Sequence, residues 1–128
     1  MIFIDTSVWI NAFRNQKGSE ALHLSDLLDN DEVAIAIPTR IELLSGARRS
    51  DQPRLRRTLS ALPIFFPSDA TWRRIEGWLG TIKNAGEWFG VGDLLIAGIA
   101  AENHAAVWSL DGDFARMANL KLVEVYRP

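Results

Sequence analysis

Acidic residues recur in this sequence next to apolar segments. Asp5 follows the apolar run MIFI, Glu42 lies in PTRIELLSG, Asp93 follows the glycine-rich stretch NAGEWFGVG, and Asp111 follows AVWSL. Two carboxylates about 4 Å apart repel each other by about 4 kcal/mol at an effective dielectric constant of ~20, so a group of them must take up protons or bind a cation. The chain has no cysteine, and an all-oxygen site favours hard ions such as Mg²⁺ or Mn²⁺, which can activate water for phosphoryl displacement.

Each acid also has a simpler explanation when it is considered alone. Asp93 and Asp111 each stand where a helix N-cap is expected, and Asp113 suits the first helical turn. Glu42 falls outside the apolar arc of its predicted helix and could be solvated. Asp5 is harder to explain, because a charge at the end of a buried strand is costly unless the backbone N–H groups of the next helix bind it.

The elements that would position these acids follow from apolar periodicity and turn residues. Strands are predicted at residues 1–5, 32–37, 63–66, 105–110 and 121–126. Helices are predicted after Thr6 and at residues 19–29, 39–49, 54–61, 68–83, 93–104 and 111–118. This alternation predicts a parallel, doubly wound α/β sheet, in which ligands bind beyond the carboxyl ends of the strands. Asp5, Asp93 and Asp111 are expected near that edge.

The length and composition of the chain are typical of a single globular domain. The 128 residues are 48% hydrophobic and 23% charged, which predicts one globular domain over residues 1–128. We expect no signal peptide, because the N-terminal strand follows Met1 directly, and no membrane span, because no apolar run approaches ~18 residues. The absence of cysteine agrees with a reducing cytoplasm.

Basic residues are few but clustered. The net charge of −2 argues weakly against binding to nucleic acid as a whole. Five arginines nevertheless lie within residues 48–57, and the guanidinium group is the better planar partner for phosphate. Arg48 and Arg49 are therefore candidate phosphate contacts, together with Arg54, Arg56 and Arg57. A solvated helix face is the alternative.

Four segments together resemble a known family. FIDTSVWI, PTRIELLSG, VGDLLIAGIAAENHAAVWSLDGDF and a final short strand are similar to PIN-domain ribonucleases, and more narrowly to the VapC-type toxins of toxin–antitoxin pairs. The resemblance covers nearly the whole chain. It implies a three-layer α/β/α sandwich with a mostly parallel sheet, and an endoribonuclease that depends on Mg²⁺ or Mn²⁺.

The resemblance also implies which residues form the catalytic and metal-binding pocket. They are Asp5, Glu42, Asp93 and Asp111. In the family such acids hold metal and position the attacking water. Asp111 is preferred over the alternate Asp113 because it lies nearer the strand end. The hydroxyl groups of Thr6, or its neighbour Ser7, and of Ser109 could bind a water or orient a carboxylate.

Partners follow from the same resemblance. It implies an RNA substrate, a homodimer, and a cognate antitoxin that lays a hydrophobic segment in a groove and sends a basic side chain into the acidic pocket. Trp88 and Phe89, in the loop before Asp93, could stack on a base or contact the antitoxin, with packing within the loop as the alternative. No catalytic role is predicted for His23 or His104, which are expected at a helix surface and a helix end.

Two other classes of protein fit parts of the pattern. A phospho-receiver domain has similar length and an acidic Mg²⁺ site, but it needs adjacent acids after the first strand and a late lysine in a fitting strand context. Here Asp5 stands alone, and Lys121 lacks that context. An aspartyl phosphatase needs an acid two positions after Asp5, where Ser7 stands. A non-catalytic domain that binds RNA or protein stays open as a third hypothesis.

Overall fold

The computed structural model describes residues 1–128, in which five strands alternate with seven helices. The strands are β1 (Ile2–Ile4), β2 (Val33–Ala36), β3 (Ile64–Phe65), β4 (Ala106–Trp108) and β5 (Glu124–Val125). The helices are α1 (Thr6–Arg14), α2 (Ser19–Asp29), α3 (Ile37–Gly46), α4 (Gln52–Ser60), α5 (Asp69–Asn84), α6 (Val91–Glu102) and α7 (Gly112–Asn119). None of these helices is long and apolar enough to cross a membrane.

The strands form one parallel sheet in the order β3-β2-β1-β4-β5. Phe3 of the central strand β1 pairs with Ala34 on one side and Val107 on the other. The strand order reverses at β1, so the crevice between the carboxyl ends of β1 and β4 is the expected ligand site. The prediction of a parallel doubly wound sheet is confirmed. A receiver domain would have the order 2-1-3-4-5 instead.

Two apolar clusters cover the two faces of the sheet. Along β1, Phe3 belongs to the larger cluster with α6 and α7, whereas Ile2 and Ile4 belong to the smaller cluster with α1 and α2. This split follows from the two-residue period of a strand, which sends successive side chains to opposite faces. Helices therefore pack on both faces, and the predicted three-layer sandwich is confirmed.

The central helix α6 packs closely against α5. Its apolar composition predicted burial, and residues 96–100 are all buried. Gly98 makes the close approach possible, since a Cβ atom there would lie 3.1 Å from Thr71 Cγ2 and 3.2 Å from Ile75 Cδ1. Thr71 cannot easily move aside, because it forms a capping box with Ser68 at the start of α5. This contact sets the position of α6.

Several predicted helix boundaries differ from the structure, and two of the differences bear on the candidate site residues. Helix α3 ends at Gly46 rather than at residue 49, so Arg48 and Arg49 lie in the turn that follows it. Glycine is a poor helix former, which explains the earlier end. Helix α6 begins at Val91 with Gly90 as its N-cap, so Asp93 lies inside the first turn and is not the cap.

Candidate active site

The carboxylate of Asp5 is held by side-chain hydroxyls. Asp5 is 6% exposed and precedes α1, but it accepts no hydrogen bond from the backbone N–H groups of that helix. The capping explanation of Asp5 is therefore wrong. Instead, Ser7 Oγ and Ser109 Oγ each donate to Asp5 Oδ2 over 2.8 Å. These two bonds compensate for the loss of water around a buried carboxylate.

The same two hydroxyls tie α1 to the segment after β4. Ser7 Oγ accepts a hydrogen bond from the backbone N–H of Leu110 over 3.0 Å, and Ser109 Oγ accepts one from that of Asp111 over 2.9 Å. The Asp5 N–H also donates to the Trp108 carbonyl over 2.9 Å. Residues more than one hundred positions apart are thus joined at one edge of the sheet.

Three further acids meet beside this network. Asp93 comes from the first turn of α6, while Asp111 and Asp113 come from the start of α7. Each offers a carboxylate oxygen, and these oxygens lie within 4.8 Å of one another. Asp111 is the N-cap of α7, as its simpler explanation proposed, and one of its oxygens accepts from the Asp113 N–H over 3.0 Å. Asp111 thus caps α7 and also belongs to the acidic cluster.

Crowding shifts the protonation of this group. Burial raises the pKa of Asp93 to about 7, and a hydrogen bond with Asp113 and the charges of Asp5, Asp113 and Asp111 act in the same direction. The same hydrogen bond lowers the pKa of Asp113, with help from Arg116. Asp93 is thus the acid of the group that is protonated most readily, and Asp113 beside it stays ionised. Both acids of the segment SLDGDF belong to the cluster, since their oxygens lie within 4.8 Å of Asp93.

Arg116 is a functional candidate that the sequence interpretation missed. Its guanidinium group forms ion pairs with Asp113 and with Glu87 of the loop before α6. It also lies over the Phe89 ring, with Cζ 4.8 Å from the ring centroid. The three-residue spacing from Asp113 on one helix could have indicated the first pair. No local signal pointed to Glu87.

Glu42 lies on the other side of Asp5, on α3. Its side chain keeps contact with solvent, yet partial burial of the carboxyl group raises its pKa, and the charge of Asp5 raises it further. Asp5 raises the pKa of Asp93 as well. The charge of Asp5 thus acts on both Glu42 and Asp93, and the charge of Asp111 acts on Asp93. Glu42 does not belong to the tight group formed by Asp93, Asp111 and Asp113.

The donor set fits a hard divalent cation. Three carboxylates converge from two segments of the chain, the first turn of α6 and the start of α7, and they carry more negative charge than the single guanidinium of Arg116 balances. Thr6 Oγ1, beside Asp5 in the sequence, is buried and acts on the Glu42 carboxylate, whose pKa it lowers against the effects of burial and of Asp5. A hydroxyl in this position suits a water molecule in the shell of an ion.

The aromatic residues of the loop before α6 are also predicted contacts for RNA or a partner, and the histidine of α2 is predicted to have no catalytic role. Phe89 is 4% exposed and packs in the larger apolar cluster, so the packing alternative is confirmed for this residue. Trp88 is 80% exposed, and its role stays a prediction. His23 is half-buried on α2 and shares a hydrogen bond with the hydroxyl of Tyr126.

Comparison with known proteins decides the family. A model described as "PIN domain" matches residues 2–120 of the chain. The chain belongs to the PIN-domain family. Among curated relatives, ribonuclease VapC11 of Mycobacterium tuberculosis is 34% identical over 129 aligned positions, which cover 94% of this chain and 96% of the relative. The predicted family is confirmed at the level of VapC ribonucleases.

Solved PIN-domain structures show the same fold at lower identity. FitAcB from Neisseria gonorrhoeae superposes with a TM-score of 0.81 at 22% identity, covering 100% of this chain and 98% of that one. VapBC2 from Rickettsia felis, solved bound to a DNA fragment from its promoter, gives a TM-score of 0.80 at 22% identity and covers 98% of both chains. Both structures support the PIN architecture of the sheet and its helices.

Proposed function

We propose that this chain is a divalent-metal-dependent endoribonuclease and the toxin of a toxin–antitoxin pair. The observation that carries the proposal is the convergence of carboxylates from β1, α6 and α7 at the carboxyl edge of the sheet, in a chain of the PIN-domain family. The 34% identity to a VapC ribonuclease supports RNA as the substrate. The acidic edge is the place where the phosphodiester bond is cut.

The catalytic and metal-binding residues in this proposal are Asp5, Glu42, Asp93 and Asp111, with Asp113 as a further ligand. They would hold Mg²⁺ or Mn²⁺, since both ions prefer carboxylate oxygen and leave positions for water and phosphate. When bound, such ions lower the pKa of water and neutralise charge that develops on the phosphate. Asp93 is the acid that must give up a proton before it can bind an ion, because its pKa is about 7.

The chain's own groups orient the reaction. Ser7 and Ser109 fix the Asp5 carboxylate by donating to one oxygen, so the other oxygen is available to bind an ion or accept from water. Thr6 Oγ1 is placed to hydrogen-bond a water near Asp5. In the hydrolysis, the attacking water gives up a proton as its oxygen bonds to phosphorus, the bond from phosphorus to the leaving oxygen breaks, and the leaving oxygen takes up a proton.

The turn after α3 and helix α4 provide a basic surface for RNA. Arg48 and Arg49 are exposed in the turn, and none of the five arginines in residues 48–57 forms an ion pair within the chain. Unpaired guanidinium groups are free to contact phosphates. The turn directly follows the helix that carries Glu42, so bound RNA can pass from this surface to the acids.

Partners complete the proposal. VapBC-5 from Mycobacterium tuberculosis, which has a similar fold, is a member of the VapBC family of toxin–antitoxin systems, and we extend the pairing with an antitoxin to this chain. A basic antitoxin side chain that enters the acidic pocket would compete with metal. We also propose a homodimer, and action in the cytoplasm, where the RNA substrates are.

A cleavage assay tests the proposal. The purified chain is expected to cut single-stranded RNA in the presence of Mn²⁺ or Mg²⁺ and to stop cutting after chelation. Asp5→Asn and Asp93→Asn should each lose more than the roughly 10–100-fold in activity that loss of an outer-shell partner costs. Circular dichroism checks that both variants stay folded. Full activity in either variant would refute the assignment of that residue.

The antitoxin part has its own test. Coexpression with the small protein encoded next to the toxin gene should yield a stable complex in which RNA cleavage is inhibited. An active nuclease that no neighbouring gene product inhibits would leave the enzyme assignment intact and overturn the toxin assignment.

A further inference from the structure

A cavity of about 570 Å³ opens beside the acids, between α2, the start of α7 and the segment after β5. Its volume falls within the range of roughly 300–1,000 Å³ that is typical of small-ligand sites. The mechanism proposed above does not use it. Its volume is large enough for one nucleoside.

Three aromatic rings build one wall of the cavity. The His23 and Tyr126 rings are stacked, with centroids 5.7 Å apart and an angle of 19° between their planes. Trp108 meets both rings edge-on, at 5.3 Å and 5.9 Å. Trp108 is 2% exposed and supports the other two, which are half-buried and present their surfaces to the cavity. The bond between His23 Nε2 and the Tyr126 hydroxyl fixes the pair.

The cavity and the acidic cluster share residues. Ser109, which binds Asp5, and Asp111, which belongs to the cluster, both line the cavity. Glu20 and Arg127 line it as well and provide an acceptor and donors for polar groups. A ligand in the cavity is therefore next to the site where the phosphodiester bond is cut.

We propose that the cavity binds the base of a nucleotide adjacent to the cleaved bond, with His23 and Tyr126 as specificity-determining residues. This inference rests on the proposed ribonuclease function. Sequence-specific recognition of single-stranded RNA relies on bases that leave the stack, lie against aromatic side chains and hydrogen-bond through their edges. The aromatic wall, with Glu20 and Arg127 nearby, provides both kinds of contact. A base is favoured over a peptide because the cavity is continuous with the acids that act on RNA.

The test measures base preference rather than activity alone. Cleavage sites of the unmodified chain are first mapped in a defined RNA, and oligonucleotides are then made with each of the four bases, or an abasic unit, at the positions flanking the cut. Tyr126→Leu and His23→Leu are compared with His104→Asn, which changes the other histidine, at the opposite edge of the sheet. Asparagine suits the positive φ of 51° at that position.

Both cavity variants should reduce the preference at one flanking position by about 10-fold, within the range that stacking on an aromatic side chain provides. All proteins should cut the abasic substrate at equal rates, and His104→Asn should keep the full preference. A second measurement uses Asp93→Asn, which is expected not to cut RNA, and so does not require the cavity variants to fold. The RNA carries 2-aminopurine at the flanking position. Its fluorescence should be quenched when the RNA binds, because a stacked 2-aminopurine base is quenched.

The outcomes separate the two proposals. If the unmodified chain cuts RNA and both cavity variants keep its base preference, the cavity assignment is wrong and the ribonuclease proposal stands. If the unmodified chain cuts no RNA, the ribonuclease proposal fails first. If the variants keep the base preference but escape inhibition by the purified antitoxin, the cavity binds protein, which also overturns the assignment.

Discussion

The two sides of the acidic site stabilise a carboxyl group with little access to solvent in different ways. On one side, Asp5 is 6% exposed and is satisfied by the neutral hydroxyls of Ser7 and Ser109. On the other side, Asp93 is half-buried, and its raised pKa favours the protonated carboxyl group beside Asp113, whose charge is balanced by Arg116. We call these the hydroxyl side and the proton side.

The contrast shows that burial alone does not decide how a carboxylate is accommodated. Directed hydrogen bonds can stabilise a single buried charge, whereas neighbouring carboxylates repel each other until one of them is neutralised. The proton side should therefore respond most to added cations. The hydroxyl side should respond most to the loss of a hydrogen-bond donor.

Added metal gives the largest expected effect on stability. Binding of Mn²⁺ or Mg²⁺ at about 100 times its dissociation constant stabilises the folded state by about 2.7 kcal/mol, which raises the Tm of a chain of this size by roughly 10 °C. Calorimetry with and without Mn²⁺ measures the shift. In Asp93→Asn the shift should be much smaller, because one acid of the cluster is gone. An unchanged Tm of the unmodified chain at high Mn²⁺ would contradict a preformed site.

Removal of a hydroxyl donor comes next in size. Ser109→Ala leaves the buried Asp5 carboxylate with one donor fewer, which should lower the free energy of unfolding by about 1–2 kcal/mol. Ser7→Ala should cost a similar amount, since each serine also accepts one backbone N–H. Denaturant unfolding measures both. The exposed Ser50→Ala is the matched control and should stay within about 0.5 kcal/mol of the unmodified chain. Equal stability of all three variants would show that Asp5 does not need these donors.

The pH dependence of stability is the smallest effect, because Asp93 keeps partial contact with solvent. Its pKa is about 7 in the folded protein and 3.8 in the reference state, so the folded state holds an extra proton between these values. Without metal, the free energy of unfolding should therefore fall as pH rises from about 4 to about 7 and then level off. Asp113, whose pKa is lowered, contributes in the opposite direction at lower pH.

The comparison of Asp93→Asn with the unmodified chain isolates this effect. With EDTA present, the Tm of the unmodified chain relative to the variant should fall between pH 5 and pH 7.5. Excess Mg²⁺ should weaken the dependence, because the ion binds the deprotonated carboxylate. A relative Tm that does not change with pH would argue against a protonated Asp93.

Much of the fold could be predicted because apolar periodicity is local information. The helix at residues 19–29 matches α2, and the five predicted strands contain β1 to β5. Errors arose at helix ends, where glycine and the packing of neighbouring elements decide. The convergence of Asp5, Asp93 and Asp111 followed from the rule for parallel sheets, which fixes where strand ends meet.

The parts of the site that escaped prediction are contacts between distant segments. The hydroxyl groups of Ser7 and Ser109 donate to the same oxygen of Asp5, yet they lie 102 positions apart. Arg116 reaches Glu87 across 29 positions, and His23 reaches Tyr126 across 103. Such pairs depend on the register of strands and the rotation of helices, which a single sequence does not specify.

Gly98 has a consequence for anyone who wishes to make this protein more robust. Replacing a helical glycine by alanine is a common way to favour a helix, worth up to about 1 kcal/mol. Here the added methyl group would press on Thr71 and Ile75, so α6 would have to shift outward or Thr71 would have to loosen. Asp93 lies five residues before Gly98 on the same helix, so a shift of α6 would also move Asp93. A gain in helix propensity would thus be obtained at the expense of the alignment of the acids.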